Sequence, residues 1–134
     1  MDNIELQELL LEVFSGFRFH HSLIPELMKL LDGKDVLKIV SLLFDRTIKL
    51  RHDQNNVILL YRKQFESVLH EKNLYSMIIK GKECNIRILY SYINGEVFLH
   101  SFYEREGKSK TDYTSAIKIA KSRREEIISE MEGE

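Results

Sequence analysis

Cysteine and proline each occur once in this 134-residue chain, and glycine six times. One cysteine, Cys84, excludes an internal disulfide and leaves a reducing compartment, the cytoplasm, as the default expectation. So little proline and glycine argues against a long disordered linker. No apolar run is long enough to span a bilayer, so no membrane partner is expected. The start, Met1-Asp2-Asn3-Ile4-Glu5, lacks the basic and apolar segments of a signal peptide. Also missing are a glycine-rich phosphate loop, a Walker pattern and a nucleophile elbow. His52, His70 and His100 have no ligand spacing with one another or with Cys84. His20 and His21 are adjacent, and in a regular element neighbours do not face one metal. No metal and no cofactor are therefore expected.

What is present is an ordinary globular balance, 43% hydrophobic and 31% charged, enough for one domain with its own core. The net charge of −1 conceals a strong asymmetry. Residues 75–124 carry ten Lys/Arg against five acids, a block of +5, whereas residues 125–134 carry five acids and no base. Residues 1–74 contribute the remaining −1. A basic block suits a polyanionic partner, although a solvated helix face with alternating charges has the same composition.

Residues 1–72 read as mainly helical. Asp2-x-x-Glu5 resembles a capping box, and Leu6, Leu9, Leu10, Val13 and Phe14 follow at helical spacing before Gly16. Residues 17–21 fit a short strand or a loop. Ser22 predicts an N-cap ahead of Leu27, Met28, Leu30 and Leu31, with Pro25 in the first turn and Gly33 as the stop. Asp35 predicts the cap of a third helix through Val36, Ile39, Val40, Leu43 and Phe44. Asp53 to Asn56 is a turn cluster. Residues 57–71 fit a fourth helix, and Val57 to Tyr61 equally fits a buried strand.

From residue 74 the apolar period changes to two. Tyr75, Met77 and Ile79 share a strand face, and Gly81-Lys82-Glu83 makes the turn. Ile86, Ile88, Tyr90 and Tyr92 then alternate with Arg87, Leu89, Ser91 and Ile93. Asn94-Gly95 is a strong hairpin signal, because a type I′ turn needs positive φ at both positions. Val97, Leu99 and Ser101 continue as a third strand. Residues 104–111 form a charged loop, and Thr111 or Asp112 predicts the cap of a last helix through Ala116, Ala120 and Ile127. The expected class is α+β: a helical N-terminal half packed on a small twisted antiparallel sheet, then a C-terminal helix and an acidic tail over 125–134.

Arg87 is the most informative position, a charge in the middle strand between two isoleucines. It needs a partner or an exposed face. Antiparallel pairing would bring it to one sheet end with Lys80, Lys82 and the loop cations Arg105, Lys108 and Lys110, with Tyr113 at the rim. Cations hold phosphates and aromatic rings stack on unpaired bases, so this surface suits RNA. A salt bridge at Arg87 and a merely solvated loop fit the same residues.

The stretches Leu74 to Lys82, Asn85 to Tyr90 and Phe98 to Phe102 resemble the sheet of phage-derived HigB-like toxins of the RelE/ParE superfamily. Tyr113 to Lys118 is similar to the start of the RelE C-terminal helix. The resemblance covers residues 73–124 and implies a RelE-like fold. It further implies a toxin of a type II toxin–antitoxin pair, acting as a ribosome-dependent mRNA endoribonuclease without a metal. Its partners would be mRNA on the ribosome and a cognate antitoxin, a helix-turn-helix protein. On this resemblance Arg87 would stabilise the transition state, and Lys80 and Lys82 would hold or activate the reacting nucleotide. Arg105 would protonate or neutralise the leaving oxygen's surroundings, while Tyr113 would stack on a base or help move a proton. Lys108, Lys110, Lys121, Arg123 and Arg124 would contact RNA. His100 is a weaker candidate in a strand position facing the core.

Several positions depart from the family. Ile78 and Ser76 stand where it often has arginine and glutamate, the loop after the last strand is more acidic, and no proline precedes the last helix. The N-terminal half is unusual, longer and more helical than the family's strand-plus-helical-hairpin start. The alternative reading keeps the fold without the cleavage: a gyrase-targeting member of ParE type, or an inactive interaction module. The −5 tail is expected to fold back on the +5 block and weaken RNA binding.

Overall fold

The computed structural model describes residues 2–82, 84–104 and 110–133, without the side chains of residues 110–113. The chain runs α1 (Asn3–Val13), β1 (Arg18–Phe19), α2 (Leu23–Leu31), α3 (Val36–Asp53), α4 (Val57–Leu60), β2 (Phe65–Ser67), β3 (Tyr75–Lys80), β4 (Asn85–Ile93), β5 (Glu96–Glu104) and α5 (Lys110–Glu132). This is the α+β architecture expected. Its sheet has the order β1-β5-β4-β3-β2 and is mixed, because β1 pairs parallel with β5 while the other neighbours are antiparallel.

The local chemistry explains the helices. The Asp2 carboxylate accepts the Glu5 N–H at 2.8 Å, satisfying an orphan donor of α1. Leu6, Leu10 and Val13 then form its buried stripe, and Gly16 leaves the helix at φ +86°. Asp35 caps α3 through the Lys38 N–H at 3.4 Å. Ser22 does not cap α2 with its hydroxyl. Instead its own N–H donates to Nδ1 of His20 at 3.1 Å, so the backbone enters α2 through a histidine-closed turn.

Residues 57–71 are neither the long helix nor the strand that their apolar content suggested. Val57 to Leu60 is a single helical turn, with Leu59 and Leu60 on the surface. The chain then turns, and Phe65 buries its ring while pairing with Met77 in β2. The edge of β3 offers unpaired backbone groups, and β2 satisfies them.

Alternation in the central strands divides two cores. Ile86, Ile88 and Tyr90 of β4, with Met77 and Ile79 of β3, pack under α1, α2 and α3. Leu89 faces the opposite way and packs with Val68, Leu74, Ala116 and Ala120 under α5. The sheet is thus covered by the N-terminal helices on one face and by α5 on the other. Asn94 and Gly95, at φ +52° and +79°, close the two-residue β4–β5 hairpin. A bulge opposite Leu89/Tyr90 leaves His100 as an extra residue in β5.

The last helix begins at Lys110, so Thr111 and Asp112 lie inside its first turn rather than at its cap. It continues without a break to Glu132. Residues 125–132 are therefore helix and do not fold back on the basic block, which corrects the tail expectation. No helix among the described residues is long and apolar enough to cross a membrane.

Candidate nucleic-acid interface

Strand register assembles the site. Ile78 of β3 and Tyr103 of β5 flank Arg87 of β4, and Lys80 pairs with Asn85 where β3 ends. Arg87 and Lys80 thus share the α5 face of the sheet as diagonal neighbours, roughly 7–8 Å apart by sheet geometry. Lys80 and Lys82 are exposed on the turn that joins the two strands. At the same end β5 finishes at Glu104, opposite Ile86, and α5 starts back over the sheet at Lys110. The register therefore brings Lys80, Lys82 and Arg87 together. Arg105 and Lys108 lie outside the described residues, as do the side chains of Lys110 and Tyr113, whose backbones open α5.

Arg87 is buried, its side chain only 8% exposed. A guanidinium so placed requires a counter-charge and hydrogen-bond acceptors. The Glu66 carboxylate of β2 accepts from its Nη1 at 2.8 Å, and Asn85 Oδ1 accepts from its Nε at 3.1 Å. Glu66 itself is half exposed. The salt-bridge reading of Arg87 and its position at the basic sheet end hold together in one geometry.

The other cations of the block lie elsewhere. Lys110 and Lys121 are eleven residues apart on α5, about 16 Å along the axis. Lys121 pairs with Glu71 at 3.2 Å. Arg123 donates to Glu26 at 2.6 and 2.8 Å and to the His100 carbonyl at 3.1 Å. Arg124 donates to the carbonyls of Lys72 and Asn73 at 3.0 and 3.1 Å. These three clamp α5 to α2 and to the segment before β3, away from the Arg87 end.

His100 is fully buried beneath α5. The Ser91 hydroxyl donates to the Asn73 carbonyl at 2.6 Å, so it accepts from His100 Nε2–H at 3.1 Å. Ser101 Oγ lies 3.3 Å from Nδ1 and donates to it. Burial, aided by the Arg124 and Arg123 charges, holds the imidazole down to about 3. A neutral, enclosed and hydrogen-bonded imidazole is a structural group and not a base in contact with substrate.

His20, His21 and Glu126 bring their ligating atoms within 4.8 Å of one another, contrary to the expectation from adjacency. The two histidines lie in the turn after β1, outside any regular element, where their rings approach to 4.2 Å between centroids, and Glu126 reaches them from α5. His20 Nδ1 already accepts the Ser22 N–H, so the proton sits on Nε2 and donates to Glu126 at 2.6 Å. A histidine ligates through a ring nitrogen with a free lone pair, and here the Nδ1 lone pair accepts from Ser22 while Nε2 carries the proton given to Glu126. The cluster is a hydrogen-bonded tie between β1 and α5.

Three charged residues near the basic sheet end were not singled out in the sequence. Glu66 sits in a strand of three residues, too short for a periodic signal. Lys34 and Lys38 flank the start of α3 and reach the β3–β4 turn only through the fold. Lys34 pairs with Glu104 at 3.0 Å, and both lysines line a cleft of about 460 Å³ with Lys80, Lys82 and Cys84.

In comparison with known proteins, no family model, no curated protein and no solved structure matches the chain.

Proposed function

We propose that the chain is a RelE/HigB-like toxin that cuts mRNA on the ribosome by metal-independent transesterification. The observation that carries this reading is the register that gathers Arg87, Lys80 and Lys82 at the sheet end where β5 stops and α5 begins. The element order also supports it. The unusual N-terminal half contains, after α1, a strand followed by the α2–α3 helical pair, which is the start that RelE-type members have.

In the proposed reaction the ribose 2′-oxygen attacks the adjacent phosphorus. The 2′-proton leaves to solvent water, the P–O5′ bond breaks, the departing 5′-oxygen takes a proton from water, and the products are a 2′,3′-cyclic phosphate and a 5′-hydroxyl. Arg87 faces the phosphoryl oxygens, where negative charge builds in the transition state. Lys80 and Lys82 hold the reacting nucleotide, Arg105 neutralises the surroundings of the leaving oxygen, and Tyr113 stacks on a base or relays a proton. Glu66 stands beside Ser76 in the β2–β3 pairing, so a neighbouring strand supplies a carboxylate near the position where the family often has glutamate. The toxin would act in the cytoplasm, with a helix-turn-helix antitoxin as its neutralising partner.

A second reading is favoured by one observation, the burial of Arg87 against Glu66. A neutralised guanidinium suits a non-nuclease member of the same fold, gyrase-targeting or a pure interaction module. Cut mapping on a reporter mRNA during cell-free translation separates the two.

A further inference from the structure

The cleft beside the β3–β4 turn has a composition that the reaction above does not use. Its volume of about 460 Å³ is in the range of small-ligand sites. Lys34 and Lys38 come from the start of α3, and Lys80 and Lys82 from the turn. Asp35 is the acid in the same wall, and its carboxylate is turned to the Lys38 N–H. Beneath these charges Ile39 is buried and Leu42 and Cys84 are half-buried, an apolar floor. Lys34 is already paired with Glu104 at 3.0 Å, so Lys38, Lys80 and Lys82 supply the ammonium groups above the apolar floor. They match a nucleotide unit, with its phosphate among cations and its base against aliphatic carbon.

We propose that this cleft binds one nucleotide of a single-stranded RNA, with Lys38 holding a backbone phosphate next to the nucleotide at Arg87. Lys80 and Lys82 border both places, so a strand crossing the turn passes from the Arg87 face into the cleft. The ligand assignment rests on the RNA reading of the preceding subsection, but the cleft does not depend on cleavage.

Cys84 provides the test, being the single thiol of the chain and part of the cleft wall. Its alkylation by iodoacetamide is followed by mass spectrometry, with and without a 2′-O-methylated RNA decamer that cannot be cut. The expected result is alkylation slowed several-fold by bound RNA. Lys38→Glu, a change at an exposed position, should remove that protection. It should also lower the slope of log K against log salt by about 0.7, one phosphate contact on a single strand. The proposal is overturned if RNA fails to bind, or binds and leaves the Cys84 rate unchanged. Equal protection by adenosine 5′-monophosphate would assign the cleft to free nucleotides instead, and stronger protection by polyglutamate would assign it to an acidic protein segment. Protection without any mRNA cuts would remove the nuclease reading and leave this site standing.

Discussion

The guanidinium of Arg87 donates to the carboxylate of Glu66 at 2.8 Å, from a central strand to an edge strand with β3 between them. This contact neutralises the most deeply placed cation of the basic sheet end. It also makes Glu66, on a strand of three residues, the group that decides how much positive field Arg87 presents.

Glu66→Gln should therefore act in two directions. Losing a charge-assisted hydrogen bond to a buried guanidinium should lower stability by about 1.5–3 kcal/mol, towards the smaller figure because Glu66 is half exposed. Affinity for single-stranded RNA should rise as one acid leaves the basic surface. Urea unfolding and fluorescence anisotropy measure both, and a variant with weaker RNA binding would contradict the electrostatic argument.

His100 predicts a pH dependence. Its imidazole is neutral when folded and held down to about 3, against an ordinary value of 6.5 when unfolded. The unfolded chain thus takes up a proton that the folded chain refuses. The associated stability is present above pH 6.5 and is lost as pH falls towards 3, with a slope approaching about 1.4 kcal/mol per pH unit. Asp45 and Glu126 are held below the usual carboxylate range by their partners and add to this loss only at more acidic pH. His100→Gln should flatten the stability profile between pH 6.5 and 4.5, which denaturation at several pH values reads directly.

Tyr90 offers a stabilising substitution. Its ring is fully enclosed against Tyr75 and Tyr92, and its hydroxyl has no hydrogen-bond partner among the described residues. Burying an unsatisfied hydroxyl costs on the order of 1–3 kcal/mol. Tyr90→Phe should match or exceed wild-type stability, and a raised urea midpoint with unchanged slope is the expected signature.

At the β4–β5 hairpin the cost is purely conformational. Gly95 has φ +79°, and a Cβ there would meet no heavy atom within 4 Å. Gly95→Ala should therefore lose only the price of a left-handed residue, about 1–2 kcal/mol, without a change in fold. A larger loss in thermal unfolding would mean that the turn does more than close the hairpin.

The parts of the fold legible in the sequence are those with a sustained period or a specific turn. Ile86, Ile88 and Tyr90 alternate over a long strand, Asn94-Gly95 fixes the register that follows, and Asp2 and Asp35 mark real caps. The elements that escaped are short and made by tertiary pairing. β1 has two residues held by a parallel neighbour about eighty positions later, and β2 exists because β3 has an edge to cover. The bulge at His100 breaks the alternation of β5, which the two-residue period does not announce. At the site, sequence order placed Lys80, Lys82 and Arg87 together because they belong to adjoining strands. Glu66, Lys34 and Lys38 arrive from elements far away in the chain. Composition also does not reveal that Lys121, Arg123 and Arg124 of the basic block fasten α5.

The most direct measurement of the account is primer extension on a reporter mRNA translated in a cell-free system, for wild type and Arg87→Ala. Circular dichroism must show both chains folded, and Arg87→Lys serves as a second variant that keeps a charge. The account predicts discrete, ribosome-dependent cuts with wild type, ending in 2′,3′-cyclic phosphate, that vanish with Arg87→Ala and weaken with Arg87→Lys. A folded wild type that leaves the mRNA intact, or an Arg87→Ala chain that cuts as well as wild type, would contradict it.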